Sequence, residues 1–195
     1  MKYLSFDLEA TGLEKDALII EFGMVPFDSS TRTIEYDLKK HFYIQCPSFD
    51  SLEPSLNEWV KKHNKELITK AHQEGIDLEN FKTELEKYLD STAVKQYFGN
   101  KPIVLFGKSI SAIDLPFLNR DLGWDWMNKY FHHRNLDLSC FTMGLIDMGK
   151  LEAGMDSGSK LMEYLKMGEV CHTALEDAIN TAEMYLKLLD MLRET

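Results

Sequence analysis

Three strand-like runs crowd into the first 46 residues, which commits the chain to begin as an antiparallel meander. Residues 2 to 8, "ALIIEFGMVPFD" (17 to 28) and "TIEYDLKKHFYIQC" (33 to 46) are rich in Ile, Val, Phe and Tyr, which suit a pleated surface. The short "DSSTRT" between the last two reads as a hairpin. From Glu53 to about Phe98 the apolar spacing turns helical, through Leu56, Trp59 and Val60, then Leu67, Ile68 and Ala71, then Phe81, Leu85, Tyr88 and Leu89. "PIVLF" (102 to 106), followed by Gly107, reads as a strand buried on both faces. A helix is expected from Ile113 to about Leu122, and a short strand running into a helix at "RNLDLSCF" (134 to 141). A compact amphipathic helix at 158 to 168 and a long one in "TALEDAINTAEMYLKLLDMLR" close the pattern. A meander followed by alternating strands and helices predicts a mixed sheet with helices packed on it.

At 195 residues, with 44% apolar and 11% aromatic residues, the chain has the composition of one globular domain covering 1 to 195. No apolar run reaches the length of a membrane span and no signal-peptide pattern opens the sequence, so a soluble, cytoplasmic protein without membrane contact is expected. Cys46, Cys140 and Cys171 form no CxxC pair and are odd in number, which favours reduced core thiols over a disulfide framework or a zinc ribbon. The formal charge of −10 repels polyanions, so any contact with nucleic acid must lean on bound cations or on a small basic patch.

Within the first strand, "FDLEATGL" (6 to 13) sets two carboxylates in an apolar run. Alternation puts Asp7 and Glu9 on one face with Tyr3 and Ser5, and Leu4, Phe6 and Leu8 on the other. Two positions along a strand span roughly 6.6 Å, near enough for both carboxylates to serve one metal cluster. A solvated face would explain an isolated D-x-E just as simply. The Thr11-Gly12 turn that follows favours a site, since Gly12 permits close backbone approach to a ligand and Thr11 adds a hydroxyl and an N–H beside the acids.

Far along the chain, "HTALEDA" (172 to 178) carries a capping box, with Thr173 as N-cap and Glu176 three residues on. That makes His172 the N′ residue and Asp177 N4, the two positions whose side chains meet in a hydrophobic staple. Ala174, Ala178 and Ala182 form a strip of small residues that lets this helix lie close to the sheet, with Asp177 at its border and in reach of Asp7 and Glu9. A further acid, Asp114, follows the buried strand in "LFGKSISAIDLPFLNRD". Each of these residues alone has an ordinary explanation, as a loop histidine or a helix-capping carboxylate.

Taken together, Asp7-x-Glu9-x-Thr11-Gly12, Asp114 in "DLPFL", and His172-x-Ala174-x-x-Asp177 resemble the three motifs of the DEDDh exonuclease family, over residues 6 to 182. That family contains oligoribonuclease, ribonuclease T and the proofreading subunits of bacterial DNA polymerases. The resemblance implies an α/β, ribonuclease H-like fold, with a five-stranded mixed sheet, an antiparallel second strand and helices on both faces. It implies 3′-to-5′ hydrolysis of single-stranded or short DNA or RNA to nucleoside 5′-monophosphates, using two divalent cations, Mg2+ or Mn2+. By the same resemblance Asp7 bridges both ions, Glu9 and Asp177 complete the site of the attacking water, and Asp114 supports the second ion. His172 takes the water's proton, a task that suits an imidazole of reference pKa about 6.5. Thr11, Gly12 and Leu13 would hold the 3′-terminal nucleotide, Leu13 as an apolar wedge, and Lys108 and Ser109 are candidate phosphate contacts. Many relatives place Asn four or five residues before the middle Asp, where this chain has Ser109 and Ile110.

A polymerase-bound proofreading accessory is the lower-ranked expectation, because such subunits often carry a partner-binding tail and this sequence runs on only briefly after its last helical pattern. An inactive ribonuclease H-like nucleic-acid binder also ranks lower, since all four acids and the histidine are present; the resemblance also admits a homodimer. "FGKS" ends like a P-loop, but Pro102 stands where that motif needs Gly, and Ile-Val-Leu-Phe occupies 103 to 106 in place of a flexible cradle. Trp59, Trp124, Trp126, Tyr130 and Phe131 are expected in the core, and the adjacent His132 and His133 cannot share a helix face.

Overall fold

A computed structural model of the chain describes residues 1–168 and 173–193. Six strands among them form one sheet: β1 (Lys2–Ala10), β2 (Ile19–Asp28), β3 (Thr33–Ile34), β4 (Lys40–Tyr43), β5 (Leu105–Gly107) and β6 (Leu136–Asp137). The order is β3-β2-β1-β5-β6, with β4 also paired to β2. β1 runs antiparallel to β2 and parallel to β5, so the sheet is mixed and its second strand antiparallel, as expected. The count is six rather than five because the expected third strand breaks. Tyr36–Leu38 turn as a short 3-10 helix, leaving β3 and β4 as separate partners of β2. Tertiary hydrogen bonds favour the break: Tyr88 Oη donates to the Leu38 carbonyl (2.8 Å), and Tyr36 Oη donates to Glu183 (3.1 Å).

Helices α1 (Phe49–Leu52), α2 (Glu58–His63), α3 (Lys65–Glu74), α4 (Leu78–Leu89) and α5 (Thr92–Phe98) fill the stretch between β4 and β5. α6 (Asp114–Leu122) and α7 (Trp124–Tyr130) follow β5, and α8 (Leu138–Asp147), α9 (Gly158–Tyr164) and α10 (Ala174–Met191) follow β6. No helix among the described residues is long and apolar enough to cross a membrane.

Alternation along β1 separates two of the three apolar clusters among the described residues, the third gathering Ile20, Cys46, Phe49, Val60 and Ile68. Leu4, Phe6 and Leu8 pack with Phe22, Phe81, Leu118 and Trp126 on one face, while Tyr3 packs with Phe27, Phe106, Leu138 and Tyr185 on the other. Rings interlock in the second cluster, with centroids 5.0 Å apart for Phe27 and Phe106 and 5.1 Å for Phe106 and Tyr185. Truncating so buried a ring as Phe106 to Ala costs about 3–5 kcal/mol.

α10 lies against β1 and β2 through its small strip: Ala174, Ala178 and Ala182 are fully buried, and Ser5 Oγ donates to the Ala178 carbonyl at 2.6 Å. Across from the first turn stands Gly23 of β2, where any Cβ would overlap the backbone of Ala174 and Leu175. Glycine on the strand and alanine on the helix set the separation between the two.

Trp126, Tyr130 and Phe131 are buried as expected, but Trp59 (58% exposed) and Trp124 (67%) are not. Leu56 lies ahead of the N-cap Asn57, so no helix joins it to Trp59, and of α2 only Val60 turns fully inward. Trp124 opens α7 directly after Gly123, whose φ of 92° swings the chain out of α6. Cys46 is buried, whereas Cys140 is exposed on α8; Cys171 and His172 lie outside the described residues. His132 and His133 sit beyond α7 with their rings 4.2 Å apart.

Candidate functional site

β1 and β5 pair only through Leu4–Leu105 and Ser5–Phe106, and β5 ends at Gly107. β1 runs on past that point, which leaves the Leu8 N–H facing a gap. Asp114, the first residue of α6 and 3% exposed, fills it: its Oδ1 accepts from Leu8 N at 3.2 Å. The carboxyl ends of diverging parallel strands are where open sheets covered by helices form ligand crevices.

On the α10 side of β1, Asp7 and Glu9 meet Asp177. One carboxylate oxygen from each lies within 4.8 Å of the others. Asp177 reaches this point because Thr173 starts the helix one turn earlier, its Oγ1 accepting from Glu176 N at 3.4 Å and donating to the Glu176 carboxylate at 3.0 Å. Three of the four expected acids therefore converge. Asp114 stands beside them with its carboxylate turned to the β1 backbone.

Burial holds the Asp7 pKa well above the usual carboxylate range, and repulsion from Asp114, Glu9 and Asp177 adds to it. Burial likewise lifts Glu9 from 4.5 to about 7, with Asp177 and Glu21 pushing the same way and the hydrogen bond from Asn64 opposing. Asp114 is raised by burial, against hydrogen bonds from the backbone N–H groups of Leu8 and of itself. Acids gathered this way relieve their repulsion by taking up protons or a cation. An all-carboxylate, hard-oxygen donor set suits Mg2+ or Mn2+, so the residues present fit a divalent metal centre.

Three residues around the acids were not singled out by sequence reasoning. Asn64, buried at the α2–α3 junction, donates Nδ2 to Glu9 Oε2 and to the Ala10 carbonyl, each at 3.4 Å. Glu21 faces Glu9 across the β1–β2 ladder and is fully buried; its Oε1 accepts from His41 Nε2 at 2.5 Å and its Oε2 from Ala174 N at 3.1 Å. Asp137, at the end of β6, accepts from the backbone N–H of Ser109 and Ser139 (2.9 Å each) and of Ser111 (3.3 Å), fixing the loop that leads to Asp114. The signals were present but faint: Glu21 is the one charge inside "ALIIEFGMVPF", and Asn64 and Asp137 are good N-cap residues placed before helical patterns.

Of the expected substrate residues, Thr11 is buried and its Oγ1 accepts from Leu18 N at 2.9 Å, so the hydroxyl serves the turn. Leu13 is 74% exposed and forms, with Ile113, a ridge between two clefts. One cleft, of about 370 Å³, is lined by Glu9, Gly12, Trp59 and Asn64; the other, of about 540 Å³, by Lys15, Pro116, Phe117 and Arg120. The Trp59 ring stacks on His63 with centroids 4.8 Å apart, while nearby Lys61 is paired with Glu58 at 2.8 Å and Lys65 lies over the Phe49 ring. Ser109 adopts a φ of 59° and pairs its Oγ with Ser139 Oγ at 2.8 Å, while Lys108 lies across Gly158.

Residues 4–185 match a family model described as exonuclease, of the RNase T type. No curated protein matches by sequence. Among solved structures, cell-death related nuclease 4 has a TM-score of 0.69 at 16% identity, over 97% of this chain and 64% of that one. The nuclease domain of 3'hExo, a DEDDh family member bound to rAMP, has a TM-score of 0.66 at 18% identity, over 97% and 92%. Exonuclease I of E. coli, in complex with a 5cy-dT13 oligonucleotide, has a TM-score of 0.62 at 13% identity, over 99% and 43%. The chain thus spans less than two thirds of the first and under half of the third, and the likeness to all three is one of fold, ribonuclease H-like as expected.

Proposed function

We infer the chemistry from family membership: the chain belongs to the exonuclease family, and Asp7, Glu9, Asp114, His172 and Asp177 follow one another along the sequence in the order of the DEDDh motifs. We propose that it removes nucleoside 5′-monophosphates from the 3′ end of single-stranded or short nucleic acid, dependent on two divalent cations, Mg2+ or Mn2+. The observation that most supports this reading is the meeting of Asp7, Glu9 and Asp177 oxygens within 4.8 Å, from the first strand and the last helix.

Asp7, Glu9 and Asp177 would hold the cations, with Asp114 beside them. Bound there, the cations supply positive charge that offsets a chain of net −10 and stabilises the negative charge building on the phosphodiester. His172, next in sequence to the N-cap Thr173, is the proposed acceptor of the attacking water's proton. Leu13 and Ile113 divide the last two bases, the terminal one lying in the cleft against Trp59 and Asn64. Stacking on Trp59 needs an unpaired base, which favours single strands over duplex. The rAMP held by the 3'hExo nuclease domain and the oligonucleotide held by exonuclease I belong to the same ligand class.

The test is incubation with 5′-end-labelled RNA and DNA oligonucleotides, with Mg2+, Mn2+ or EDTA. Ladders shortening stepwise from the 3′ end only with metal are expected. An oligonucleotide retarded on a native gel but never shortened would make the chain a binder.

A further inference from the structure

Glu21 is fully buried, and the chemistry proposed above does not use it. It stands on the α10 face of β2, opposite Glu9, where a second carboxylate adds repulsion to an already acidic cluster. Both of its oxygens are engaged. Oε1 accepts from His41 Nε2 of β4, and Oε2 accepts from the backbone N–H of Ala174, the first residue of α10. A helix leaves its first N–H groups without intrahelical partners, and a carboxylate at that end also meets the positive end of the helix dipole. Ala174 is three residues ahead of Asp177, and at Gly23, two residues beyond Glu21, the helix backbone comes so near that a Cβ would overlap Ala174 and Leu175. The pair therefore acts at the turn of α10 that carries Asp177.

We infer that Glu21, steadied by His41, is a positioning residue that fixes the first turn of α10 on the sheet and thereby sets Asp177 relative to Asp7 and Glu9. This rests on the metal-centre reading above. His41 keeps the Glu21 carboxylate in one rotamer, and its ring is braced in turn edge-on against Tyr43, with centroids 4.5 Å apart. Without the Glu21 anchor, the Ala174 N–H loses its acceptor and the first turn of α10 is free to fray, carrying Asp177 with it.

The experiment compares wild type, Glu21→Ala, Glu21→Gln and Met24→Ala. Met24 lies on β2 but faces the opposite core, so its truncation lowers stability without touching the anchor. Two quantities are measured: amide hydrogen exchange in the metal-free protein, and Mn2+ affinity by electron paramagnetic resonance. Glu21→Ala is expected to speed exchange at Ala174 to Asp177 while the middle of α10 stays protected, and to weaken Mn2+ binding by about tenfold or more. Glu21→Gln, which keeps an acceptor for Ala174 and can donate to His41 Nε2 once the imidazole carries its proton on Nδ1, should restore both to within about threefold. Met24→Ala should lower Tm and change neither. Unchanged exchange and Mn2+ affinity in Glu21→Ala would overturn the inference, as would a Glu21→Gln defect equal to that of Glu21→Ala, since charge rather than placement would then be at work. The same Mn2+ loss in Met24→Ala would also overturn it. If wild type itself binds no Mn2+, the metal-centre reading fails, and the exchange at Ala174 still decides whether the anchor exists.

Discussion

Asn64 donates its side-chain amide to the Glu9 carboxylate across 3.4 Å, joining residues 55 positions apart. That bond pulls the Glu9 pKa down while burial pushes it up. Asn64→Ala therefore leaves Glu9 protonated over more of the neutral range. The expected result is a loss of Mn2+ affinity at pH 7 of about fivefold, the worth of roughly 1 kcal/mol, shrinking toward pH 8.5. Mn2+ titrations at the two pH values check this, and a deficit of equal size at both would remove Glu9 protonation as its cause.

Folded Glu9 binds its proton more tightly than unfolded Glu9, with a pKa of about 7 against 4.5. The folded state thus holds more protons between those values, and the stability from this group is complete below pH 4.5 and is lost as pH rises through 7. Glu9→Gln cannot titrate and lacks that slope. In EDTA, the Tm of wild type relative to Glu9→Gln should fall steadily from pH 4.5 to pH 7.5, and Mn2+ should reverse the fall at the upper end. Thermal melts of both proteins across that range make the comparison.

Asp7 is the acid most crowded by the others, with Asp114, Glu9, Asp177 and Glu21 all raising its pKa. Asp7→Asn keeps the shape and removes the charge. Cleavage and Mn2+ binding should both vanish, while the metal-free Tm at pH 7 equals or exceeds that of wild type, because an acid that burial and its neighbours disfavour in charged form has been replaced by a neutral group of the same shape. Calorimetry with and without metal reads both effects. A lower metal-free Tm would mean that Asp7 is held by partners rather than strained by neighbours.

Trp59 and Trp124 are both exposed, but only Trp59 lines the cleft shared with Glu9. Trp59→Ala should raise KM for a single-stranded oligonucleotide by roughly 5- to 150-fold, matching a stacking contribution of about 1–3 kcal/mol, with a smaller change in kcat. Trp124→Ala should leave KM within about twofold, as a surface substitution away from the site. Steady-state kinetics on the two variants separates them.

The side-chain faces of β1, the Thr173 cap and the alanine strip were legible because each follows from local rules. A strand alternates every residue, an N-cap oxygen reaches a backbone N–H two or three residues on, and a small side chain needs no partner to be small. Those rules place Asp7 and Glu9 on the face of Ser5 and put Asp177 one turn into α10, before any contact is known. The break between β3 and β4 was not legible, since it rests on Tyr88 and Glu183, which lie far from it in sequence. Nor was the exposure of Trp59, because the true helix start at Asn57 cuts the apolar pattern that seemed to run through it.

By itself, then, the sequence determined which acids the chain carries, which way they face within their own elements and how those elements begin. Only the tertiary structure decided that Asp7, Glu9 and Asp177 share one small volume, that Asp114 turns to Leu8, and that Asn64, Glu21 and His41 brace the group. The physical reason is range. Backbone geometry correlates side chains over a few residues, whereas a buried carboxylate is shaped by whatever the fold brings within a few ångströms, here from segments 20 to 153 residues away.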